Sequence, residues 1–300
     1  MKKVSIITIN YNSGIATEKF LRSLEKVKIS GFELEIIVID NGSEKAFKTS
    51  DNISVIRSDT NNGFTGGCNI GIKKALKNGA DYVLLINNDT TVHPILIKNL
   101  IEGIEDDDKI GIATPKIYFS KGHEFHKDKY KKEELGQVIW FAGGVIDWKN
   151  AKSVHRGMDE VDRGQYEILE KIEFATGCCM LIKKEVFEKV GLFDEKYFLY
   201  YEDADLCERV KKAGFDIHYV PKGIVYHDNA GSSGSGSSLH DYFLTRNQMI
   251  FGMKYAPLKT KIALVRQSLV LLASGRKYQK KGIKDYYLHK FGKGTYFEHD

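Results

Sequence analysis

Apolar and polar residues recur with two different periods in the first hundred residues of the chain. Apolar runs typical of short strands cover residues 4–9, 35–39, 53–58 and 82–86. Between them, apolar residues at helical spacing predict helices over 15–27, 68–76 and 94–104. Because strands that alternate with helices build βαβ units, we expect an α/β fold with a mostly parallel central sheet flanked by helices.

The rest of the chain is less regular. We expect a surface excursion over 120–132, strands over 140–147, 172–182, 217–220 and 224–226, and helices over 184–190, 204–213 and 241–287. The segment 231–238 is nearly all Gly and Ser, which cannot build a core, so it is predicted to be a mobile lid.

Polar clusters end three of the predicted strands, at 10–12, 40–43 and 87–90. Ligands of parallel sheets bind at the carboxyl ends of the strands, so these clusters are candidate site residues. Asp89 offers a hard oxygen ligand that suits Mg²⁺ or Mn²⁺ on a diphosphate, although an Asx turn into the next helix would explain it as well. Asp40 alone is a weaker signal, because acids commonly end strands.

Two further groups could carry chemistry. Glu202 and Asp203 begin a predicted helix after the aromatic run 197–201. Acids suit a first helical turn through the helix dipole alone, but an acid among aromatic side chains can also serve as a general base with a raised pKa. His227 ends a strand and is either structural or a contact for metal or phosphate.

The glycine-rich turn 61–67 precedes a helix and could hold phosphate through backbone N–H groups. It has neither the GxGxxG nor the GxxxxGK[ST] spacing, which argues against a dinucleotide site and a P-loop.

Cysteine usage and the N-terminus bear on the compartment. The four cysteines among 300 residues show no CxxC spacing, which disfavours a zinc site or a disulfide framework and fits a reducing compartment. The N-terminal apolar run is too short for a signal peptide, and no run approaches about 18 apolar residues. We therefore expect a cytoplasmic protein that is neither exported nor membrane-spanning.

The formal net charge of +5 is unevenly distributed. Residues 254–293 hold eleven basic side chains and one acid, a net charge of +10, which leaves −5 for the other 260 residues. A basic helical segment over 256–293 would suit peripheral contact with an anionic membrane at the inner face of the cell membrane. Packing on the catalytic domain, or on a second copy in a homodimer, is the alternative. No motif that reads nucleic acid accompanies the charge, so we expect no nucleic-acid partner.

The order of the motifs resembles family 2 glycosyltransferases of the GT-A fold, and in particular their rhamnosyltransferase-like branch. The resemblance covers residues 3–255 and rests on the motifs NYN at 10–12, VIDNGS at 38–43, NGF at 62–64, NIG at 69–71, LINNDT at 85–90, TG at 176–177, GLFDEKYF at 191–198, YEDADL at 201–206 and YH at 226–227. It implies a Rossmann-like sheet whose residues 1–115 form the nucleotide-sugar half and 116–240 the acceptor and catalytic half. Residues 241–300 would form a basic helical extension.

The resemblance also implies roles for single residues. Asp40 would hydrogen-bond the nucleotide base, and Asp203 would be the catalytic base with Glu202 beside it. Asp89 and His227 would hold Mg²⁺ or Mn²⁺. The other residues implied to bind the nucleotide sugar are Thr8, Asn10, Gly63, Phe64, Asn69, Asn87 and Asn88. Asn87 stands where the family's first metal-binding acid would be, which weakens the inferred metal site.

These roles amount to an inverting glycosyltransferase. The expected donor is a dTDP- or UDP-linked sugar, with rhamnose as one candidate, and the expected acceptor is a glycan hydroxyl on a polyprenyl carrier, read by residues 120–165. Synthesis of a bacterial surface polysaccharide is the implied setting. A sugar nucleotidyltransferase and a non-catalytic sugar-nucleotide binding module remain the alternatives.

Overall fold

A computed structural model describes residues 1–49, 52–228 and 237–298 of the chain. Six of the eight residues of the predicted lid, 231–236, lie outside this part.

Twelve strands and eight α-helices are formed by the described residues. The strands are β1 Lys2–Asn10, β2 Phe32–Asn41, β3 Ser54–Ser58, β4 Tyr82–Ile86, β5 Thr90–Val92, β6 Ile110–Phe119, β7 Ile139–Phe141, β8 Gly144–Asp147, β9 Lys152–His155, β10 Glu170–Lys171, β11 Cys179–Lys183 and β12 Asp216–His227. The helices are α1 Gly14–Leu24, α2 Gly63–Lys77, α3 Leu96–Ile104, α4 Lys184–Val190, α5 Glu202–Lys212, α6 Ser238–Tyr255, α7 Leu258–Ser274 and α8 Lys277–Tyr287.

One ten-stranded sheet forms the centre of the molecule, in the order β10-β12-β6-β11-β4-β1-β2-β3, with β5 beside β12 and β7 beside β6. The long pairings of β1 with β2 and of β6 with β12 are parallel, as are those of β1 with β4 and of β2 with β3. β11 runs antiparallel to both of its neighbours. The expected α/β fold with a mostly parallel sheet and flanking helices is confirmed, and the sheet is mixed around β11.

Strand β6 has no counterpart among the predicted elements. Its sequence contains Pro115 and Lys116, two residue types that are depleted in sheet interiors. The partner strand β12 shifts its register between Val220 and Ile224, opposite this pair, so the irregularity falls where proline cannot donate a ladder hydrogen bond. The division expected between residues 115 and 116 lies inside β6, so both halves share one sheet.

Two predicted strands are shorter than expected. The prediction over 172–182 is wrong for its first part, because a turn at Thr176, whose carbonyl accepts from the Cys179 N–H, delays β11 until Cys179. The strand expected over 140–147 divides into β7 and β8 because Gly143 has a φ of +97°, a conformation that ends a strand.

The C-terminal extension packs on the rest of the molecule. α8 lies against α6, with Ile283 buried in the main core. Leu264 of α7 is also buried there, and the Thr260 hydroxyl donates to the Trp148 carbonyl at 2.7 Å. Of the two expectations for this extension, packing on the catalytic domain is therefore observed. No helix within the described ranges is long and apolar enough to cross a membrane.

Candidate active site

Asp40, at the end of β2, lies in a network of hydrogen bonds that leaves its side chain without exposed surface. One carboxylate oxygen accepts from Asn10 at 3.0 Å, and the other accepts from the Arg57 guanidinium at 2.7 Å and the Phe47 N–H at 3.0 Å. Burial alone would raise the pKa of Asp40, but hydrogen bonds from Ser43, Phe47 and Asn10 and the charge of Arg57 outweigh it and hold the pKa below its usual value. Asp40 is therefore ionised and holds these surrounding side chains in place.

Asn10 connects Asp40 to the cluster that follows β4. The Asn10 side chain donates to Asp40 and Ser43, and its oxygen accepts from the Thr17 hydroxyl at 2.9 Å. The same hydroxyl accepts from the Asn88 amide at 2.7 Å. Residues distant in sequence thus meet at one edge of the sheet, as expected for the carboxyl ends of neighbouring parallel strands.

Asp89 and His227 meet because β5 pairs with β12, which sets Thr90 opposite His227. The His227 Nε2 atom lies 3.2 Å from Asp89 Oδ1. His227 is buried, and its Nδ1 atom has no hydrogen-bond partner among the described residues. The pairing expected from the sequence is therefore present as geometry.

An aromatic wall stands beside this pair. The Trp140 indole packs edge-on against His227 and His155, with ring centroids 4.7 Å and 4.5 Å apart. Burial among these rings lowers the pKa of His155 to about 4, so this imidazole is neutral at physiological pH.

Asp203 is held by backbone N–H groups at the start of α5. One carboxylate oxygen accepts from Gly177 at 2.9 Å and the other from the Ala204 N–H at 2.8 Å. The neighbouring residue Cys178 accepts from the Asn87 N–H at 2.9 Å, which connects Asp203 to the end of β4. The two acidic clusters singled out in the sequence therefore lie on either side of the 177–178 segment.

Asp203 and Glu202 are both buried, but they differ in the hydrogen bonds that their carboxyl groups accept. Burial raises the pKa of Asp203, while the N–H groups of Gly177 and Ala204 oppose that rise. Burial raises the pKa of Glu202 further, the negative charge of Asp203 adds to it, and Glu202 Oε2 has no hydrogen-bond partner among the described residues. Of the two carboxyl groups, Asp203 is the one whose ionised form is favoured by two N–H donors, which makes it the better candidate to accept a proton.

The loop that leads into these acids has an unusual backbone. Phe198, Tyr200 and Tyr201 all have positive φ, at +65°, +69° and +70°. Bulky residues rarely adopt this conformation, and surrounding contacts must hold it. The amide of Asn247 in α6 supplies them by donating to the carbonyls of Tyr197, Leu199 and Tyr200, at 2.8, 2.8 and 2.9 Å.

The glycine-rich turn lies against the same loop. Helix α2 begins at Gly63, five residues before the predicted start. Gly63 has a φ of +71°, and a Cβ built there would lie 2.3 Å from the Phe198 carbonyl oxygen, so this position requires glycine. The Phe64 ring lies close to Gly177, at 3.1 Å from a Cβ built on that residue. Gly63 and Phe64 thus border the Asp203 site.

Asn69 and Thr8, both expected to bind the nucleotide sugar, differ in whether their polar atoms are already hydrogen-bonded within the fold. Both polar atoms of the buried Asn69 side chain are used within the fold, by the Phe193 backbone and by Glu195. In the structure Asn69 holds the 193–195 turn, and its expected place in the wall of the nucleotide pocket stays a prediction. Thr8, in contrast, is fully buried and its hydroxyl has no partner among the described residues.

The donor set for a divalent cation is small. Within the described ranges, no group of three or more His, Cys, Asp or Glu side chains is arranged to hold a metal ion. Asp89 and His227 form a pair at 3.2 Å. Mg²⁺ commonly takes one or two carboxylates and completes its shell with water and substrate phosphates, so Asp89 fits such an ion when a diphosphate is present, with His227 beside it.

Sequence reasoning missed several residues of this region. Arg57 lies in β3 directly opposite Asp40 in the strand register, and a cation beside an acid on neighbouring parallel strands was a usable signal. Trp140 lies in a predicted strand but was not singled out, and His155 lies in β9, a strand that was not predicted. Arg246 and Asn247 lie in a helix without an amphipathic signal, because both of its sides are buried.

Two family models and several known proteins match large parts of the chain. The model of Glycosyl transferase family 2 matches residues 5–191, and that of the N-terminal domain of galactosyltransferase matches residues 164–229. Two relatives are similar along much of the chain. The low-salt glycan biosynthesis hexosyltransferase Agl10 of Haloferax volcanii is 28% identical over 218 residues, covering 71% of this chain but only 63% of that protein. The N-acetylglucosaminyl-diphospho-decaprenol L-rhamnosyltransferase of Mycobacterium tuberculosis is 23% identical over 301 residues, covering 93% of this chain and 96% of that protein.

A solved structure shares the fold. The crystal structure of GalNAc-T7 with UDP, GalNAc and Mn²⁺ superposes with a TM-score of 0.59 at 15% identity, over 96% of this chain and 58% of that chain. The fold is therefore of the GT-A type, as the sequence motifs indicated.

Proposed function

Because the chain belongs to glycosyl transferase family 2, whose model matches residues 5–191, we propose that it moves a sugar from a nucleoside-diphosphate donor to a hydroxyl group of a glycan acceptor, with inversion at the anomeric carbon. The observation that carries this proposal is the Asp203 carboxylate, which is held by two backbone N–H groups, has a raised pKa and lies beside the strand-end cluster.

Asp203 acts as the general base. As the acceptor oxygen attacks the anomeric carbon, its proton passes to the Asp203 carboxylate, and the bond between that carbon and the diphosphate oxygen breaks. The nucleoside diphosphate leaves, and a single displacement inverts the configuration. Glu202 stays protonated, so the site carries one negative charge rather than two next to the attacking oxygen.

The donor nucleotide lies at the ends of β1 and β2. Asp40 has no exposed surface and both of its oxygens are engaged. The nucleotide base therefore lies against the Asp40–Arg57 pair. The Thr8 hydroxyl, which has no partner among the described residues, is available as a further contact. Asn10 and Asn88 hold this pocket in register with the strand-end cluster. We propose a dTDP- or UDP-linked sugar as the donor, since thymine and uracil carry the same ring carbonyls, which the partly exposed Arg57 guanidinium can contact.

Asp89 and His227 would hold a divalent cation, Mg²⁺ or Mn²⁺, when the donor diphosphate is bound. When bound, it supplies positive charge beside the leaving group. The GalNAc-T7 structure with UDP and Mn²⁺ supports a cation in this fold, and the Asp89–His227 pair supports its position here.

Rhamnose is the proposed sugar, and a glycan on a polyprenyl diphosphate carrier is the proposed acceptor. The name of the Mycobacterium tuberculosis relative supports both, since it specifies L-rhamnosyl transfer to N-acetylglucosaminyl-diphospho-decaprenol. Synthesis of a bacterial surface polysaccharide at the cytoplasmic face of the membrane follows from such an acceptor. The four buried free cysteines are consistent with that reducing compartment.

The Asp203→Asn variant tests the proposal. Loss of a general base typically lowers the rate by about 10² to 10⁴. We expect sugar transfer from dTDP-rhamnose, followed as dTDP release, to fall by that factor, while dTDP binding in a thermal-shift assay stays as in the wild type. Asp106→Asn, in the exposed acidic turn after α3, is the matched control and leaves transfer unchanged. Transfer by Asp203→Asn within a few-fold of wild type removes Asp203 from this role.

The same assay separates the alternative functions. A sugar nucleotidyltransferase would release pyrophosphate from a nucleoside triphosphate and a sugar 1-phosphate, and a binding module would release nothing. Release of free nucleoside diphosphate from a sugar donor, dependent on acceptor, contradicts both.

A further inference from the structure

An apolar stripe runs along the outer face of α7. It consists of Leu258, Ile262, Val265 and Leu269, which are 73%, 47%, 37% and 58% exposed. The spacings of four, three and four residues place these side chains in one row on a helix. The opposite face of α7 carries the buried residues Thr260, Leu264 and Ser268. The α7 stripe is thus an unpartnered apolar face within the described part of the chain.

The helix that carries the stripe is fixed to the protein. Thr260 donates to the Trp148 carbonyl, and Ser268 shares a 2.7 Å hydrogen bond with the Tyr287 hydroxyl of α8. Leu264 packs so closely on Gly252 of α6 that a Cβ built on that glycine would lie 2.2 Å from its Cδ1 atom. Since these contacts use the inner face fully, the outward direction of the stripe is set by the fold.

The charges around the stripe select its occupant. Lys259, Lys261 and Arg266 border it, and residues 242–284 contain no Asp or Glu. A second copy docking through the same face would bring two sets of these cations together, which is unfavourable. An anionic lipid surface matches both properties of the face, since phosphate groups neutralise the cations and the acyl boundary accepts the apolar row.

We propose that the α7 stripe is a membrane-docking face, on which the helix lies parallel to an anionic bilayer with Leu258, Ile262, Val265 and Leu269 in the headgroup–acyl boundary. This proposal deepens the proposed function, since it defines how the enzyme reaches a lipid-linked acceptor. Only the identity of that acceptor rests on the proposed function. Docking itself requires neither donor nor metal.

Vesicle co-sedimentation of the full chain tests the proposal. The probes are vesicles of phosphatidylcholine with about one quarter phosphatidylglycerol, and vesicles of phosphatidylcholine alone. We expect binding to the anionic vesicles that weakens as salt is raised, because the cations contribute to it. Ile262→Glu and Leu269→Glu, on the exposed row, are expected to lower the partition coefficient at least tenfold without changing the urea midpoint of unfolding.

A matched control keeps the result specific. Ile168 is 74% exposed in the loop before β10, so Ile168→Glu makes the same chemical change away from the stripe and is expected to bind vesicles like the wild type. Asp203→Asn is also expected to bind like the wild type, so a failure of the proposed catalytic role and a failure of docking are distinguishable.

Three outcomes overturn the inference. The first is that the wild-type chain fails to sediment with anionic vesicles at low salt. The second is that the two stripe variants bind these vesicles as well as the wild type does. Sedimentation velocity that finds a wild-type dimer, converted to monomer by Leu269→Glu, would instead assign the stripe to self-association.

Discussion

Replacing Asn247 by leucine tests whether α6 holds the loop that precedes Glu202 and Asp203. Asn247 is fully buried, and its amide donates to three carbonyls of the loop 197–200 while its oxygen accepts from the Arg246 guanidinium at 3.0 Å. Leucine has a similar volume and no polar atoms. The substitution therefore removes the donors without opening a large cavity.

The expected cost follows from the groups left behind. A buried polar group that loses its partner costs about 1–3 kcal/mol. The amide has two hydrogens for the three carbonyls, so we expect a loss of about 3 kcal/mol in the free energy of unfolding. Each left-handed aromatic residue of the loop carries about 1–3 kcal/mol of backbone strain, which the loop can release once Asn247 no longer holds it. The loop is therefore expected to relax, which displaces Asp203 and lowers kcat more than it raises KM.

Urea denaturation followed by circular dichroism measures the first effect, and steady-state transfer kinetics measure the second. The adjacent Gln248 is the matched control, because its amide makes one hydrogen bond to the Asn150 carbonyl at an exposed site. Gln248→Leu is expected to change stability by less than about 0.5 kcal/mol, as surface substitutions do. If Asn247→Leu behaves like Gln248→Leu in both assays, α6 does not hold the loop and the reasoning fails.

Two further predictions concern ionisable groups. Because burial raises the pKa of Asp203, kcat/KM falls with decreasing pH along a limb that lies above the ordinary value of about 3.9. Glu202→Gln leaves this limb in place, since it exchanges one neutral group for another, and a limb that moves by a full pH unit would contradict the protonated state of Glu202. All four cysteines are buried and have raised pKa values. We therefore expect the native protein at pH 7.5 to react with iodoacetamide only as fast as it unfolds, which mass spectrometry can follow. Rapid labelling of any one cysteine would contradict this burial. The cysteines are Cys68, Cys178, Cys179 and Cys207.

The N-terminal half of the fold was predictable because its strands are short apolar runs with polar ends. β4, at Tyr82–Ile86, coincides with the predicted strand, and helix α1 differs from its prediction by a few residues. β6 was not predictable from periodicity, because Pro115 and the buried Lys116 interrupt its apolar pattern. Lys116 is tolerated there only because Asp162 and Glu167, about fifty residues later, form ion pairs with it.

The candidate site was predictable where chemistry follows a strand and unpredictable where it depends on long-range packing. Asp89 and His227 stand at strand ends, and β5 and β12 bring them together. The use of Asn69 to hold the 193–195 turn could not be inferred, since the Phe193 backbone lies 124 residues away. The support that Asn247 gives to the loop before Glu202 likewise exists only after α6 has packed.

The buried Arg246 gives the C-terminal helices a meaning beyond attachment. Its guanidinium donates to the carbonyls of Lys196 and Tyr197 in the loop before α5, and to the carbonyl of Lys290 after α8. One side chain thus joins the acid-bearing loop to the last part of the chain. Because Arg246 ties these two parts together, exchanging the terminal helices between relatives is expected to disturb the loop before Glu202 as well as the surface that α7 presents.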